Sequence, residues 1–310
     1  MAPRQLTLML PFARVAIIGT GLIGVSLARA VREHMPTVRL TVHDADPAVR
    51  ERVRALKLAD DVTDTAAAAV IDADLVVLCV PVLAMREVAA AIAAELSADC
   101  VVSDAGSVKA QVLADLSAAL PPGTAVVPAH PVAGTEKSGP DAGFATLFDG
   151  RWCILTPAAD ADPVAVARVG EFWTRLGANV ELMDAAHHDL VLAVTSHLPH
   201  LIAYSIVGTA SDLEDVTRSE VIKYSAGGFR DFTRIAASDP TMWRDVFLSN
   251  KDAVLDVLQL FSEDLTALQR AIRWGDGDYL HALFTRTRAI RRTIVDAGQD
   301  TAADDFGRRK

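Results

Sequence analysis

Short, wholly apolar runs alternate with amphipathic stretches over the first 184 residues. The run RVAIIG (14–19) is aliphatic and ends in glycine, the pattern of a strand buried on both faces of a parallel sheet. Residues 22–35 carry apolar positions at helical spacing, RLTVHD (39–44) is strand-like, and 47–57 is helical with Pro47 suited to the first turn. Strands over 73–80, 100–105 and 125–130 alternate with helices over 83–96 and 109–120. A strand at 151–157, a helix at 163–177 and a last strand at 179–184 continue the series. Strand and helix alternating in this way predict the α/β class, a doubly wound parallel sheet with helices on both faces.

After Asp184 the strand pattern stops. Helical segments are predicted at 185–209, about 217–224, about 229–237, 240–273 and 276–297. The reading is therefore a sheet domain over 1–184, an all-helical domain over 185–298 and a frayed tail over 299–310. The helix 240–273 places Val246, Phe247, Val254, Val257, Leu258, Phe261, Leu265, Leu268 and Ile272 mostly three, four or seven apart. An apolar stripe of that length needs a partner, so the helical domain is expected to form a homodimer. No further regulatory module is expected beyond residue 297.

Composition narrows the class. The 310 residues are 51% hydrophobic and 23% charged, with a net charge of −10. Nucleic acid and anionic membranes both require a basic footprint, so neither is an expected partner. Cys79, Cys100 and Cys153 sit in apolar runs without a C-x-x-C spacing and read as buried, reduced thiols. The N-terminal stretch runs directly into the first strand and does not read as a cleaved signal. No segment is read as a membrane span, and a cytoplasmic location is expected.

The hexapeptide GTGLIG (19–24) follows a strand and opens a helix, the context in which G-x-G-x-x-G binds a dinucleotide. Gly19 serves the tight turn, Gly21 lets a pyrophosphate approach the backbone, and Gly24 lets helix and strand pack closely. Leu22 and Ile23 open the helix whose N-terminus faces the phosphates. Asp44 lies 20 residues after Gly24 at the end of the second strand, where a carboxylate bonds the adenosine ribose and repels a 2′-phosphate, favouring NAD over NADP. Arg50, Arg52 and Arg54 follow on a helix and read as solvated surface. Ligands of such Rossmann-type sheets lie outside the carboxyl ends of the strands, which adds Val80 and Pro81, the stretch SDAGSVK (103–109) with Ser107, and AHPVAGTEKSG (129–139).

His130 ends a strand in this group and suits a general base near neutral pH, with Ser107 close enough to orient it or touch substrate. His197 and His200 lie three apart on one helical face. A substrate-pocket role for His197 is weighed against a metal pair with His187 or His188, for which no acidic or Cys ligand has suitable spacing; no metal is expected, and His187 and His188 are read as surface residues. In GGFRDFTRIAASDPTMWRD (227–245), Arg230, Arg234 and Arg244 are interleaved with aromatic residues. Arg presents a planar fork to carboxylates, and Arg234, in an otherwise apolar turn, is the leading candidate for an anionic substrate.

GTGLIG, SDAGSVK, HPVAGTEKSG, SHLPH and GGFRDFTRIA, in this order, resemble the prephenate/arogenate (cyclohexadienyl) dehydrogenase family of tyrosine biosynthesis, over residues 14 to about 275. The resemblance implies a Rossmann domain followed by a helical dimerisation domain. It also implies NAD-dependent oxidation and decarboxylation of prephenate or arogenate. By that resemblance His130 accepts the proton of the ring hydroxyl with Ser107 in support. His197 and Arg234 hold the anionic substrate, and Thr135 and Glu136 line the pocket, Glu136 gating it with Arg230 or Asp231 as partner. Two rivals stay open on sequence alone. One is another two-domain NAD(P) hydroxyacid dehydrogenase, with Lys223 or Lys251 as its lysine; the other is a non-catalytic dinucleotide sensor.

Overall fold

The computed structural model describes residues 10–212, 223–224 and 227–296. Six parallel strands form the main sheet: β1 (Arg14–Ile18), β2 (Arg39–His43), β3 (Asp61–Val62), β4 (Leu75–Leu78), β5 (Val101–Asp104) and β6 (Ala125–Val126), in the spatial order β3-β2-β1-β4-β5-β6. The order reverses between β1 and β4, so a crevice opens at their carboxyl ends. Alternate residues of β1 separate the two cores. Val15 and Ile17 join a cluster with Val25, Leu27, Phe172 and Trp173 on one face, while Ala16 and Ile18 join Met85, Ile92, Val112 and Leu116 on the other. The first face carries α1 (Leu22–His34), α2 (Pro47–Leu56) and α6 (Pro163–Arg175); the second carries α3 (Ala66–Val70), α4 (Met85–Ile92) and α5 (Ala110–Ala119). The doubly wound parallel sheet expected from the pattern is present. The two-residue β3 and the short α3 were not foreseen, because DDV is too short and polar to register as a strand.

The segment expected as one strand over 125–130 is divided. Pro128 has no N–H for a ladder, and the chain leaves the main sheet there. It enters a second sheet of β7 (Ala129–Pro131), β8 (Trp152–Leu155) and β9 (Asn179–Leu182), in which β7 runs antiparallel to β8 and β9 parallel to it. The later strands therefore do not extend the parallel series. The loop between β7 and β8 folds over the start of α1, where Ser26 Oγ accepts from the Phe144 N–H at 3.1 Å.

The helical half holds α7 (Ala185–Leu192), a π-helical turn (Ala193–His197), α8 (Leu198–Asp212), α9 (Gly227–Thr233), α10 (Pro240–Ser249), α11 (Lys251–Trp274) and α12 (Gly277–Asp296). Pro199 cannot donate within the helix, and the Leu198 N–H reaches back to the Ala193 carbonyl just before it. The single helix expected over 240–273 is two. Asn250 (φ −109°, ψ 32°) ends α10, and its buried side chain donates to the Asp189 carbonyl at 2.8 Å and meets His197 Nδ1 at 3.1 Å. Most of the helix expected at 217–224 and the tail expected at 299–310 lie outside the described residues.

Residues 190–211 carry no Asp, Glu, Lys or Arg, so, against expectation, one helical stretch (Ala185–Asp212) is long and apolar enough to cross a membrane by length and composition. Its inward side, with Ala193 and Leu198, packs on Val254 and Val257 of α11. Further along, Leu260, Ile272 and Trp274 of α11 are each more than 60% exposed, and Phe284 and Ile290 of α12 more than half. An uncovered apolar face of this extent marks an interaction surface. Asn250 is the joint that holds α10, α11 and α7 in register. Replacing it with Leu is expected to strip His197 Nδ1 of this partner and leave the Asp189 carbonyl with the Ala193 N–H alone, and to lower stability by about 1–3 kcal/mol in chemical denaturation.

Candidate active site

The glycine turn after β1 is built by close approach. Gly19 has φ +93°, and a Cβ there would lie 2.5 Å from the Cys79 carbonyl oxygen; one on Gly24 would lie 1.9 Å from that of Gly19. A Cβ on Gly21 would meet nothing within 4 Å. The space above Gly21 is thus open to a ligand, while its neighbours are locked by the fold. Gly21 is the N-cap of α1 and no side chain caps the helix, so first-turn N–H groups are left for an anion. Half-buried Leu22 and Ile23 pack on the first-face core and fix that turn. At the end of β4, Val80 lies over Gly19, its Cγ1 3.0 Å from where a Gly19 Cβ would stand, and exposed Pro81 follows.

Asp44 is held at the end of β2. Its Oδ2 accepts from Thr20 N at 2.7 Å and Thr20 Oγ1 at 3.1 Å, and its Oδ1 from Asp46 N at 3.0 Å. The neighbouring arginines are engaged elsewhere. Arg50 donates to the Asp44 and Ala45 carbonyls and faces Asp64, Arg52 pairs with Asp141, and Arg54 pairs with Asp64 and Glu51. A carboxylate with nearby cations already partnered suits a ribose diol and disfavours a phosphate.

Beyond β5 the chain builds a buried polar cluster. Asp104 accepts from the N–H groups of Gly106 (2.7 Å) and Ala129 (3.2 Å) and from Lys109 Nζ, which also donates to the Ala129 carbonyl at 2.9 Å. Burial presses the Asp104 carboxyl up and the Lys109 ammonium down, against their mutual attraction. This pair clamps Ala129, the residue before His130, and the loop that carries half-buried Ser107. His130 is 7% exposed, and its Nδ1 lies 2.8 Å from Nε2 of His188. His188 Nδ1 in turn lies 2.8 Å from Asp189 Oδ1. His187 is exposed as expected, but His188, read as a surface residue, is fully buried, because α7 packs against the start of α5. Asp104, Lys109 and Asp189 were not singled out from sequence, and His188 was weighed there only as a metal ligand or a surface residue. The quoted SDAGSVK stretch contained two of them, and HHD (187–189) contained the rest without a helical periodicity that exposes its buried side.

The third group comes from the helical half. His197 is fully buried, with Nε2 free of any hydrogen-bond partner and its ring edge-on to Trp243 at 6.0 Å. His200 stacks on the same indole at 3.7 Å. The two histidines expected on one face thus share Trp243, whose Nε1 is also unpartnered. Arg234 pairs with Glu136 at 3.0 Å, across 98 residues of chain, and is 60% exposed. Arg230 faces Asp231 instead, so the partner of Glu136 is Arg234. Thr135 Oγ1 accepts from Lys137 N in the same exposed loop.

A nucleotide crevice at the strand reversal, with a neutral buried histidine and a capping helical half, defines a two-domain dehydrogenase of the Rossmann class. Residues 27–182 match the family "Prephenate dehydrogenase, nucleotide-binding domain" and residues 184–286 match "Prephenate dehydrogenase, dimerization domain". The chain is 49% identical over 283 residues to the cyclohexadienyl dehydrogenase of Zymomonas mobilis, covering 91% of this chain and 96% of that one. It is 34% identical to the prephenate dehydrogenase of Bacillus subtilis, over 89% and 75% of the two chains. The crystal structure of prephenate dehydrogenase from A. aeolicus, in complex with hydroxyphenyl propionate and NAD+, superposes with a TM-score of 0.86 at 34% identity, covering 93% of this chain and 99% of that one. The chain belongs to the prephenate dehydrogenase family.

Burial holds the site histidines neutral. His130 is pushed well below the usual imidazole range by desolvation and then by His188, His188 falls by desolvation, and His197 falls to about 4. In the unfolded chain these groups titrate near 6.5. Between that value and the lowered folded one the unfolded state binds more protons, so stability falls as pH falls. His197 alone contributes a slope of about 1.4 kcal/mol per pH unit from about 6.5 down to about 4. The urea midpoint at fixed protein concentration should drop steadily over that range, and His197→Gln should flatten the drop. A midpoint constant from pH 7 to 5 would contradict the buried, neutral assignment.

Proposed function

We propose that the chain catalyses the NAD-dependent oxidation and decarboxylation of prephenate, arogenate or both. The observation that carries the reading is His130. It is a buried imidazole kept neutral at physiological pH, and it stands at the carboxyl edge of the sheet that bears the open glycine turn. Gly19, Gly21, Leu22, Ile23, Gly24, Asp44, Val80, Pro81 and Ser107 would hold the dinucleotide, which supplies the hydride acceptor.

His130 accepts the proton of the ring hydroxyl as the hydroxyl-bearing carbon gives up hydride. The ring carboxylate then leaves as carbon dioxide, its bonding pair completes the aromatic ring, and the proton on His130 returns to the phenolic oxygen. Ser107, on the loop clamped by Asp104 and Lys109, supports the hydroxyl. His197, with Nε2 unpartnered, and Arg234 bind the substrate's carboxylates; Thr135 and Glu136 border the entrance, where the Glu136–Arg234 pair must open or share its guanidinium. Sheet and helical domains meet near residues 184–185, in keeping with β9 ending at Leu182 and α7 beginning at Ala185. The uncovered apolar faces of α11 and α12 support a homodimer through the helical domain.

His130→Asn should lower kcat by roughly 10²–10⁴-fold with NAD binding intact, read from NADH absorbance with prephenate and with arogenate in parallel. Near-normal turnover would remove His130 from the chemistry. Arg234→Gln should raise KM roughly ten-fold, about 1.4 kcal/mol, with kcat little changed, because the side chain is more than half exposed. NAD should exceed NADP in kcat/KM, and Asp44→Ser should narrow the gap; a native preference for NADP would overturn the role of Asp44.

A further inference from the structure

We propose that His188 and Asp189 form a positioning relay that fixes the base tautomer of His130. The inference rests on His130 being the base, and extends it to two residues that touch neither substrate nor cofactor.

Both oxygens of Asp189 accept backbone N–H groups: Oδ1 from Lys109 at 2.8 Å and Oδ2 from Ala110 at 2.9 Å. These are the first N–H groups of α5, so a carboxylate on α7 caps a helix of the sheet domain. The same Oδ1 lies 2.8 Å from His188 Nδ1. An oxygen already acting as acceptor leaves the proton of that contact on Nδ1 of His188. A neutral imidazole carries one N–H, so Nε2 of His188 is an acceptor. It faces His130 Nδ1 at 2.8 Å, which must then be the donor. Nε2 of His130 is left with a free lone pair. The polarity of the chain thus runs from one carboxylate through two rings to the atom that takes the substrate proton.

The surroundings agree. His188 is fully buried, and desolvation, helped by the charge of Lys109, outweighs the pull of Asp189 and Asp104 toward the charged ring and favours its neutral form. The ionisable groups around the two rings are Lys109 and Asp104 at the β5–α5 corner, Cys153 on β8, Asp189 on α7 and His197 on the π turn. Lys109 and Asp104 satisfy each other, and Cys153 is held as a thiol by burial. When His130 takes the proton, its Nδ1–H remains bonded to His188, and Asp189 beyond it stabilises the positive charge without a change of bonding partners.

An orienting carboxylate changed to an amide permits the reversed chain, in which the base nitrogen is protonated and useless. Asp189→Asn should therefore lower kcat by roughly 10²–10⁴-fold, with KM and NAD affinity within a few-fold. The wild-type kcat should hold as pH falls until His130 is protonated. The residual kcat of the variant should instead climb between pH 7 and 9, as hydroxide replaces the missing base. His188→Leu, which has no acceptor, should behave alike. His188→Gln, whose amide oxygen can reach the His130 N–H, should recover to within roughly ten-fold of wild type. Because Asp189 also caps α5, its variant can fail to fold; histidine side-chain ¹⁵N–¹H correlation spectra of the intact wild-type protein then decide alone. Nδ1–H tautomers at both His130 and His188 are expected. An Nε2–H tautomer at either, equal loss in His188→Gln and His188→Leu, or near-normal kcat and pH profile in Asp189→Asn would each overturn the relay. Unchanged turnover in His130→Asn would instead refute the base assignment itself, while the tautomer spectra would still test the relay.

Discussion

The carboxylate of Asp189 is the contact on which the site depends. It belongs to the first helix of the helical half, yet it caps a helix of the sheet half and holds His188 against His130. Its own backbone carbonyl is held by Asn250, which also meets His197. One residue thus ties together the sheet, His130 through His188, His197 through Asn250, and the joint between α10 and α11. Desolvating that many polar groups is costly unless each is bonded, and the network bonds nearly all of them. The exceptions are His197 Nε2 and Trp243 Nε1, the former on the residue proposed to bind substrate.

The sheet positions this network through backbone geometry. Pro128 ends pairing with β5 and turns the chain into the second sheet, so His130 leaves the main sheet just past its carboxyl edge. Asp104 and Lys109 then fasten the turn from below by bonding both polar groups of Ala129. Nearby, the glycine turn combines two positions closed by the fold with one left open. The nucleotide crevice and the proposed base are therefore built from neighbouring strand ends of one scaffold, with the residues proposed to bind substrate, His197 and Arg234, on the helical half.

What could be read from sequence was local. The glycine turn, Asp44, the strand–helix alternation and the polar stretch after His130 each occupy a few consecutive residues whose spacing has a direct physical meaning. Residue chemistry and spacing also singled out His197 and Arg234, family resemblance added Glu136, and the structure joins Arg234 and Glu136 in an ion pair. The rest depended on packing between distant segments. His188 sits in a polar stretch that looks exposed until α7 is laid against α5 and β7. Asn250 interrupts an unbroken helical periodicity only because its side chain is needed by Asp189 and His197. The break at Pro128 was visible in the residue itself, but the second sheet it leads to pairs strands more than 20 residues apart. The stripe expected over 240–273 is covered within the chain at Val246, Val254 and Val257, while Ile272 stays exposed beside Leu260 and Trp274, which the stripe did not include.

The central claim is that the reacting hydroxyl meets the free nitrogen of His130 beside the glycine turn. A crystal structure with NAD+ and a phenolic product analogue tests it most directly. The account predicts the phenolic oxygen within about 3 Å of His130 Nε2, the dinucleotide over Gly21 and the analogue's carboxylate toward His197 and Arg234. A phenol directed away from His130, or a carboxylate seated against it, would contradict the account.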